Sequence, residues 1–334
     1  MKRVGVIGAG SWGTALAALL AEKGHTVTLW SRESEVAEAI NASHTNPYLP
    51  GATLPDTLRG DDRLERTVEG AEIVVSASPS QFVRAVMTEA APSISSEALL
   101  VSASKGIETS TLLRMDEVMD QVFPTPVRDR FTVLSGPSFA KEVAQRAPTA
   151  VVVASGTPAA ALHAQEAFQT SWFRVYTSPD VIGVELGGAL KNVIALASGI
   201  TAGLGYGHNT SAAVMTRGLA EITRLGVAMG ADRATFSGLA GMGDLVLTCT
   251  GSLSRNRTVG ERLGRGESLD GILSDMKAVA EGVKTTQSVQ ALAGRMGVEM
   301  PIVEQVYEIL YGGKSAAAAL ETLMTRDPKP EDWA

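Results

Sequence analysis

Cysteine is almost absent from this chain: Cys249 is the one thiol among 334 residues. A single thiol closes no internal disulfide and builds no cysteine metal cluster, so a reducing cytoplasm is the expected setting. Nothing around Cys249 activates it, and it reads as a small packed side chain. Histidine is nearly as scarce, with 4 residues. His25 falls in a turn, His44 in a loop and His163 on a helix face, and none has a ligand-like neighbour. His208, within Gly205-Tyr-Gly-His-Asn209, reads as a turn residue. No spacing suits a metal site. Positive charge is also short: Lys+Arg 29 against Asp+Glu 36 leaves a net charge of −7. With no broad basic stripe, nucleic acid is not an expected partner, and any anionic substrate must find its cations gathered locally. Long apolar runs are missing too. The longest, Val193 to Gly207, is glycine-rich and too short for an ordinary bilayer span. It reads as a buried core helix with its exit loop, and no stable membrane insertion is expected.

What the chain does have is an ordinary globular balance, 45% hydrophobic and 19% charged, and length enough for two domains. Its most informative stretch is Met1-Lys-Arg-Val-Gly-Val-Ile-Gly-Ala-Gly-Ser-Trp-Gly13. Met1 to Ile7 reads as a short buried strand, not a signal peptide, and Thr14 to Ala21 as an apolar helix. Between them Gly8, Gly10 and Gly13 form G-x-G-x-x-G. Gly8 permits the tight turn, Gly10 lets the backbone approach a pyrophosphate, and Gly13 allows close helix–strand packing. The helix N-terminus then offers its unpaired N–H groups to the anion.

Further strands are expected over Thr26–Trp30, Ile73–Ser76, Leu99–Ser102, Thr132–Leu134, Ala150–Ala154 and Phe173–Tyr176, separated by helical segments. The alternation predicts a doubly wound, Rossmann-type parallel sheet over residues 1–178. His44 to Gly60 reads as an inserted loop. Beyond Ser178 strand signals vanish and helical periodicity dominates, predicting an all-α domain over 179–334 for substrate binding and catalysis. The tail from Arg326 to Asp332 is expected to fray into solvent.

Ligands of such sheets bind beyond the carboxyl ends of the strands. Ser31-Arg32 follows the second strand, where an NAD site usually carries an acid. Serine and arginine suit a 2′-phosphate instead, so NADPH is favoured over NADH; the alternative is a helix cap and a solvated arginine. Lys105 in Ser102-Ala-Ser-Lys-Gly106 and the backbone of Ser135-Gly-Pro-Ser-Phe-Ala140 fall on the same rim. Lys191 is the most unusual polar residue, because its helix is apolar on nearly every face. Buried lysines are rare unless paired or functional, and burial lowers the pKa toward acid–base use. The competing reading is a lysine whose stem packs while its head reaches water. Asp244, after Gly241-Met-Gly, is placed to orient Lys191 or a substrate hydroxyl. A neighbouring carboxylate would raise the lysine pKa against burial, and both directions stay open. Arg255 and Asn256, in Ser254-Arg-Asn-Arg-Thr258, suit a phosphate, with a solvated, capped loop as the alternative. Glu281 reads equally as a solvated helix end or a cofactor contact.

Taken together, Gly8-Ala-Gly-Ser-Trp-Gly-Thr-Ala15, Asn46-Pro-Tyr-Leu-Pro50, Ser104-Lys-Gly106, Gly136-Pro-Ser-Phe-Ala140, Leu190-Lys-Asn192, Gly241-Met-Gly-Asp244, Ser254-Arg-Asn256 and Ala280-Glu-Gly282 resemble the bacterial type of NAD(P)-dependent glycerol-3-phosphate dehydrogenase. The resemblance runs over nearly the whole chain. It implies reversible reduction of dihydroxyacetone phosphate to sn-glycerol 3-phosphate, feeding glycerophospholipid synthesis, with Lys191 as the acid–base. It implies substrate contacts from Lys105, Gly136, Ser138, Lys191, Asp244, Ser254, Arg255 and Asn256. Cofactor contacts are implied for Gly8, Gly10, Ser11, Trp12, Gly13, Arg32, Lys105, Ala140, Arg255, Val279 and Glu281. A cytoplasmic homodimer is usual for such enzymes. One departure is His208, where the family often has aspartate. Two rivals are a hydroxyacid or 6-phosphogluconate type of two-domain dehydrogenase, and a non-catalytic dinucleotide sensor. The Ser254-Arg-Asn256 and Gly136-Pro-Ser138 matches weigh against the first, and Lys191 with Asp244 against the second.

Overall fold

The computed structural model describes residues 1–276 and 280–331. Eight strands form one sheet: β1 (Arg3–Ile7), β2 (Thr26–Trp30), β3 (Arg59–Asp61), β4 (Ile73–Ser76), β5 (Leu99–Ser102), β6 (Phe131–Ser135), β7 (Thr149–Ala154) and β8 (Phe173–Ser178). Their spatial order is β3-β2-β1-β4-β5-β6-β7-β8. Strand order reverses between β1 and β4, so a crevice opens there beyond the carboxyl ends. The central strands β4, β5 and β6 are buried at every position, because helices cover both faces and leave no polar side to the pleat.

Two features depart from the sequence expectation. The short edge strand β3 lies at the end of the segment read as loop. It pairs with β2 through Arg59, Gly60 and Asp61, a sequence with no apolar signal. The sheet is also not wholly parallel, since β7 pairs antiparallel to β6. The link from Gly136 to Pro148 holds a single helix of 5 residues, Ala140–Ala144, and returns the chain antiparallel beside β6. β8 then runs parallel to β7. The reversal places the end of β8 at the sheet edge away from the crevice.

Among the described residues after Ser178 all regular structure is helical. The Val181–Gly203 helix is the core of this part: 19 of its 23 residues are buried, Lys191 and Asn192 among them. Its length and composition would suffice to cross a bilayer, but 89% of its most apolar window is buried inside the protein. It starts cleanly because the Asp180 side chain accepts the Gly183 N–H at 2.8 Å. Around it pack the helices His208–Ala228, Arg255–Gly264 and Glu281–Met296. The last described residues, up to Glu331, are exposed but tethered, with Arg326 and Lys329 on Glu299 and Arg217 on the Glu331 carbonyl; Asp332 lies outside the described residues.

The core helix crosses Arg255–Gly264 at backbone contact. A Cβ on Gly199 would strike the Arg257 carbonyl, and one on Gly260 would strike the Leu196 carbonyl. The two backbones therefore touch directly. Because Arg255 and Asn256 open the second helix, this glycine seam fixes their distance from Lys191 and Asn192. Gly260→Ala is expected to cost about 1–3 kcal/mol through overpacking. The check is the melting temperature, and a value equal to wild type would show that the seam has slack.

Candidate active site

The glycine turn after β1 builds one wall. Gly8 has φ +111°, and a Cβ there would approach the Ala77–Ser78 backbone at 3.0 Å. Gly13 is packed so closely that a Cβ would run into the Gly8 carbonyl, whereas nothing lies within 4 Å of a Cβ on Gly10. Gly10 thus leaves open space in front of the Ser11–Glu22 helix, whose N-terminus has no side-chain cap. Its first N–H groups are free to bind an anion. Trp12, beside them, has a buried Nε1 with no partner among the described residues. The Asn46 amide donates to the Ala9 carbonyl at 2.9 Å and to Thr14 Oγ1 at 2.8 Å, tying the Asn46–Pro50 loop over the turn. An open backbone cradle, an uncapped helix N-terminus and an orphaned indole N–H together fit a dinucleotide.

Facing this turn is the helical part, and between them lies a cleft of about 460 Å³. Gly10, Ser78, Lys105, Lys191, Arg255 and Glu281 mark its two sides. Asp244, 1% exposed, does not line the cleft as expected for a substrate contact but lies behind it, bound by two lysines that do. Lys191 Nζ donates to Asp244 Oδ1 at 2.5 Å and to Thr248 Oγ1 at 2.8 Å. Lys105 Nζ donates to Asp244 Oδ2 at 2.7 Å and to the Gly136 carbonyl at 3.2 Å. Each ammonium has three hydrogens, so one remains on each for a ligand.

Local structure explains how these groups meet. Residues Leu239–Gly243 form a π-helical turn that runs into the Asp244–Thr250 helix. That turn sits flush on the core helix because Gly187 lacks a side chain: a Cβ there would lie 2.5 Å from the Ala240 carbonyl. Asp244 then arrives one turn along from Gly187, at Lys191. Gly188 leaves room for the end of β6, since a Cβ there would lie 2.7 Å from Ser135 Oγ.

Burial pushes Lys191 down to about 8, with Lys105 adding to the shift and Asp244 opposing it. The competition left open by the sequence is therefore won by burial. For Asp244 burial acts upward, but the two ammonium groups outweigh it and hold the carboxyl below its ordinary value. Burial lifts Glu281 above its ordinary value, against Arg255, Lys105, Lys191 and the Ser80 N–H. Cys249, between Thr248 and Thr250, is inert: burial raises its thiol to about 12.

The other expected site residues divide into groups. Ser11, Trp12, Ser138, Ala140, Ser254, Arg255 and Asn256 line the cleft. Ser138 Oγ donates to the Gly136 carbonyl at 3.0 Å, and Ser254 Oγ caps its helix by accepting the Arg257 N–H at 3.2 Å. Arg255 is exposed on the wall. Asn256 is less available than its sequence suggested. Its amide donates to Asn192 Oδ1 at 2.9 Å and accepts the Gly282 N–H at 3.0 Å, which leaves a single N–H for a ligand. Gly13 and Gly136 support the walls from behind. Arg32 stands outside the cleft lining, exposed beyond β2, where Ser31 Oγ accepts the Glu33 N–H at 3.2 Å. Val279 lies outside the described residues. His208 begins the His208–Ala228 helix, exposed and off the cleft. Thr248 is a site residue whose role the sequence reading did not reach. Its spacing of four from Asp244 on one helix was the available signal.

Comparison with known proteins agrees with this geometry. Family models for the NAD-dependent glycerol-3-phosphate dehydrogenase N-terminus and C-terminus match residues 3–161 and 180–321. A Geobacter metallireducens protein named glycerol-3-phosphate dehydrogenase (NAD(P)+) is 59% identical over 331 residues, covering 99% of each chain. One of the same name from Myxococcus xanthus is 54% identical, covering 98% of each. The crystal structure of glycerol-3-phosphate dehydrogenase from Coxiella burnetii superposes with a TM-score of 0.92 at 39% identity, covering 97% of this chain and 99% of that one. With both halves matched and relatives of full length above half identity, the chain belongs to the NAD-dependent glycerol-3-phosphate dehydrogenase family.

Proposed function

We propose that Lys191 is the proton donor in the reversible reduction of dihydroxyacetone phosphate to sn-glycerol 3-phosphate. The enzyme is an NAD(P)-dependent oxidoreductase of that family, and the residue roles are our reading. One observation carries them: Lys191 lies on the cleft floor, two of its hydrogens committed to Asp244 and Thr248, opposite the glycine turn. When bound, the nicotinamide supplies hydride to the substrate carbonyl carbon. Gly8, Gly10 and the uncapped N-terminus of the first helix would hold its pyrophosphate, with Ser11 and Trp12 beside it.

As the carbonyl is reduced, negative charge gathers on its oxygen. The third Lys191 hydrogen points that charge to a cation and then supplies the proton. Asp244 keeps Lys191 charged in spite of its burial, and Thr248 fixes the direction of the ammonium. Lys105 brings a second positive charge to the same spot. Arg255 and the remaining Asn256 N–H are assigned to the substrate phosphate, turning remote binding energy into orientation of the carbonyl. Glu281, opposite Arg255, belongs to the cofactor side of this reading. Arg32 is assigned to a 2′-phosphate, which favours NADPH while admitting NADH. Membership of the family adds a homodimer, a cytoplasmic setting and supply of glycerophospholipid synthesis to the proposal.

Lys191→Ala is expected to lower kcat by at least about 1,000-fold while NADPH still binds, read by cofactor fluorescence. Turnover within tenfold of wild type would remove Lys191 from the chemistry. The pH dependence has a definite sign. Reduction needs Lys191 protonated, so kcat/KM should be flat below its pKa of about 8 and fall above it. Oxidation of glycerol 3-phosphate needs the neutral amine and should rise through the same range; parallel limbs in both directions would contradict the assignment. The two phosphates separate by mutation. Arg255→Ala should raise KM for dihydroxyacetone phosphate about 10–100-fold, and Arg32→Ala should raise KM for NADPH by a similar factor while sparing NADH. Equal effects of Arg32→Ala on both nucleotides would rule out the 2′-phosphate role.

A further inference from the structure

Lys105 opens a loop, residues 105–113, that belongs to the sheet by chain order and to the helical part by packing. The Ile107 side chain is 1% exposed and sits in the helical core, with Leu112 packed against the same cluster. The loop is pinned from both sides. From the sheet side the Gln81 amide makes a two-point pairing, donating to the Ile107 carbonyl at 2.8 Å and accepting the Thr109 N–H at 2.9 Å. From the helical side Ser288 Oγ lies 3.1 Å from that same Ile107 carbonyl and 3.1 Å from Thr109 Oγ1. Gly106, at φ +156°, threads between them: a Cβ would strike Ser80 Oγ and stand 3.7 Å from Thr285 Oγ1. Farther along, Arg84 grips Glu108 through both carboxylate oxygens, at 2.9 and 2.7 Å.

These contacts touch no cleft ligand position, yet all converge within four residues of Lys105. A lysine side chain has four rotatable bonds and holds a fixed partner only if its backbone is fixed first. Lys105 Nζ sits 2.7 Å from one oxygen of Asp244, while Lys191 takes the other oxygen at 2.5 Å. A shift of about 1 Å in the loop would break the first contact and leave the second. We propose that Gln81 and Ser288 are positioning residues: by clasping the Ile107–Thr109 backbone across the domain boundary, they hold Lys105 on Asp244 and keep that carboxylate shared between two lysines. The proposal rests on Lys191 as proton donor.

Gln81→Leu keeps the size of the side chain and removes both of its bonds. In this variant kcat for dihydroxyacetone phosphate reduction is expected to fall about tenfold. Its alkaline limb should move up by roughly 0.5–1 pH unit, because Lys191 gains sole use of Asp244 and loses a neighbouring cation. Ser288→Ala, which leaves the Gln81 pairing in place, should move both readouts the same way by less. In a Lys105→Met background, Gln81→Leu should change kcat by less than about twofold further. An equal loss in both backgrounds, or an unmoved limb, would overturn the positioning role. So would failure of both variants to fold, since the contacts would then be structural only. Retained turnover in Lys191→Ala instead overturns the proton-donor assignment, so the two failures are distinguishable.

Discussion

A carboxylate only 1% exposed between two ammonium groups is the constraint on which the rest of this molecule depends. An isolated charge at that depth would cost several kcal/mol in solvation, so Asp244 and its lysines are tolerable only together. Lys105 comes from the loop after β5, Lys191 from the core helix, and Asp244 from the helix after the π-turn. The ion triad is therefore also a fastening between sheet and helices. Its geometry requires that the core helix meet the π-turn at backbone contact, which is why a glycine stands at Gly187.

The same arrangement divides labour within the cleft. The glycine turn after β1 is built almost wholly of backbone and offers directional N–H groups without charge. The opposite side is built of side chains and concentrates cations, Lys191 and Arg255 from the helices and Lys105 from the loop after β5, in a chain whose net charge is −7. The acidic balance of the whole surface makes this local gathering the feature that draws an anionic substrate, as a field focused by its low-dielectric walls.

Much of this was legible in the sequence for physical reasons. Strands covered on both faces must be apolar throughout, so Ile73–Ser76 and Leu99–Ser102 announce themselves. A lysine in an apolar helix is conspicuous because few positions tolerate it, which singled out Lys191. The rest depended on distant partners. β3 carries Arg59-Gly-Asp61 and is a strand only because β2 offers it an edge. The direction of β7 is not written in its own apolar residues, which suit a parallel or an antiparallel neighbour equally. Asn256 pairs a charged neighbour with an amide in sequence, but Asn192 and Gly282 claim most of that amide in space. Gln81 looks like an ordinary exposed polar residue at a helix start, since its two partners lie 26 and 28 positions away.

The reversal at β7 has a further geometric effect. It delivers the chain to the far edge of the sheet, so the core helix must travel back toward the crevice before Lys191 can enter it. From Val181 that takes ten residues, about 15 Å at 1.5 Å each. Every residue also turns the side chains by about 100°. The stretch between Asp180 and Lys191 is therefore a measuring rod with a phase as well as a length. Adding or deleting one residue there would rotate the ammonium away from Asp244 into the apolar core.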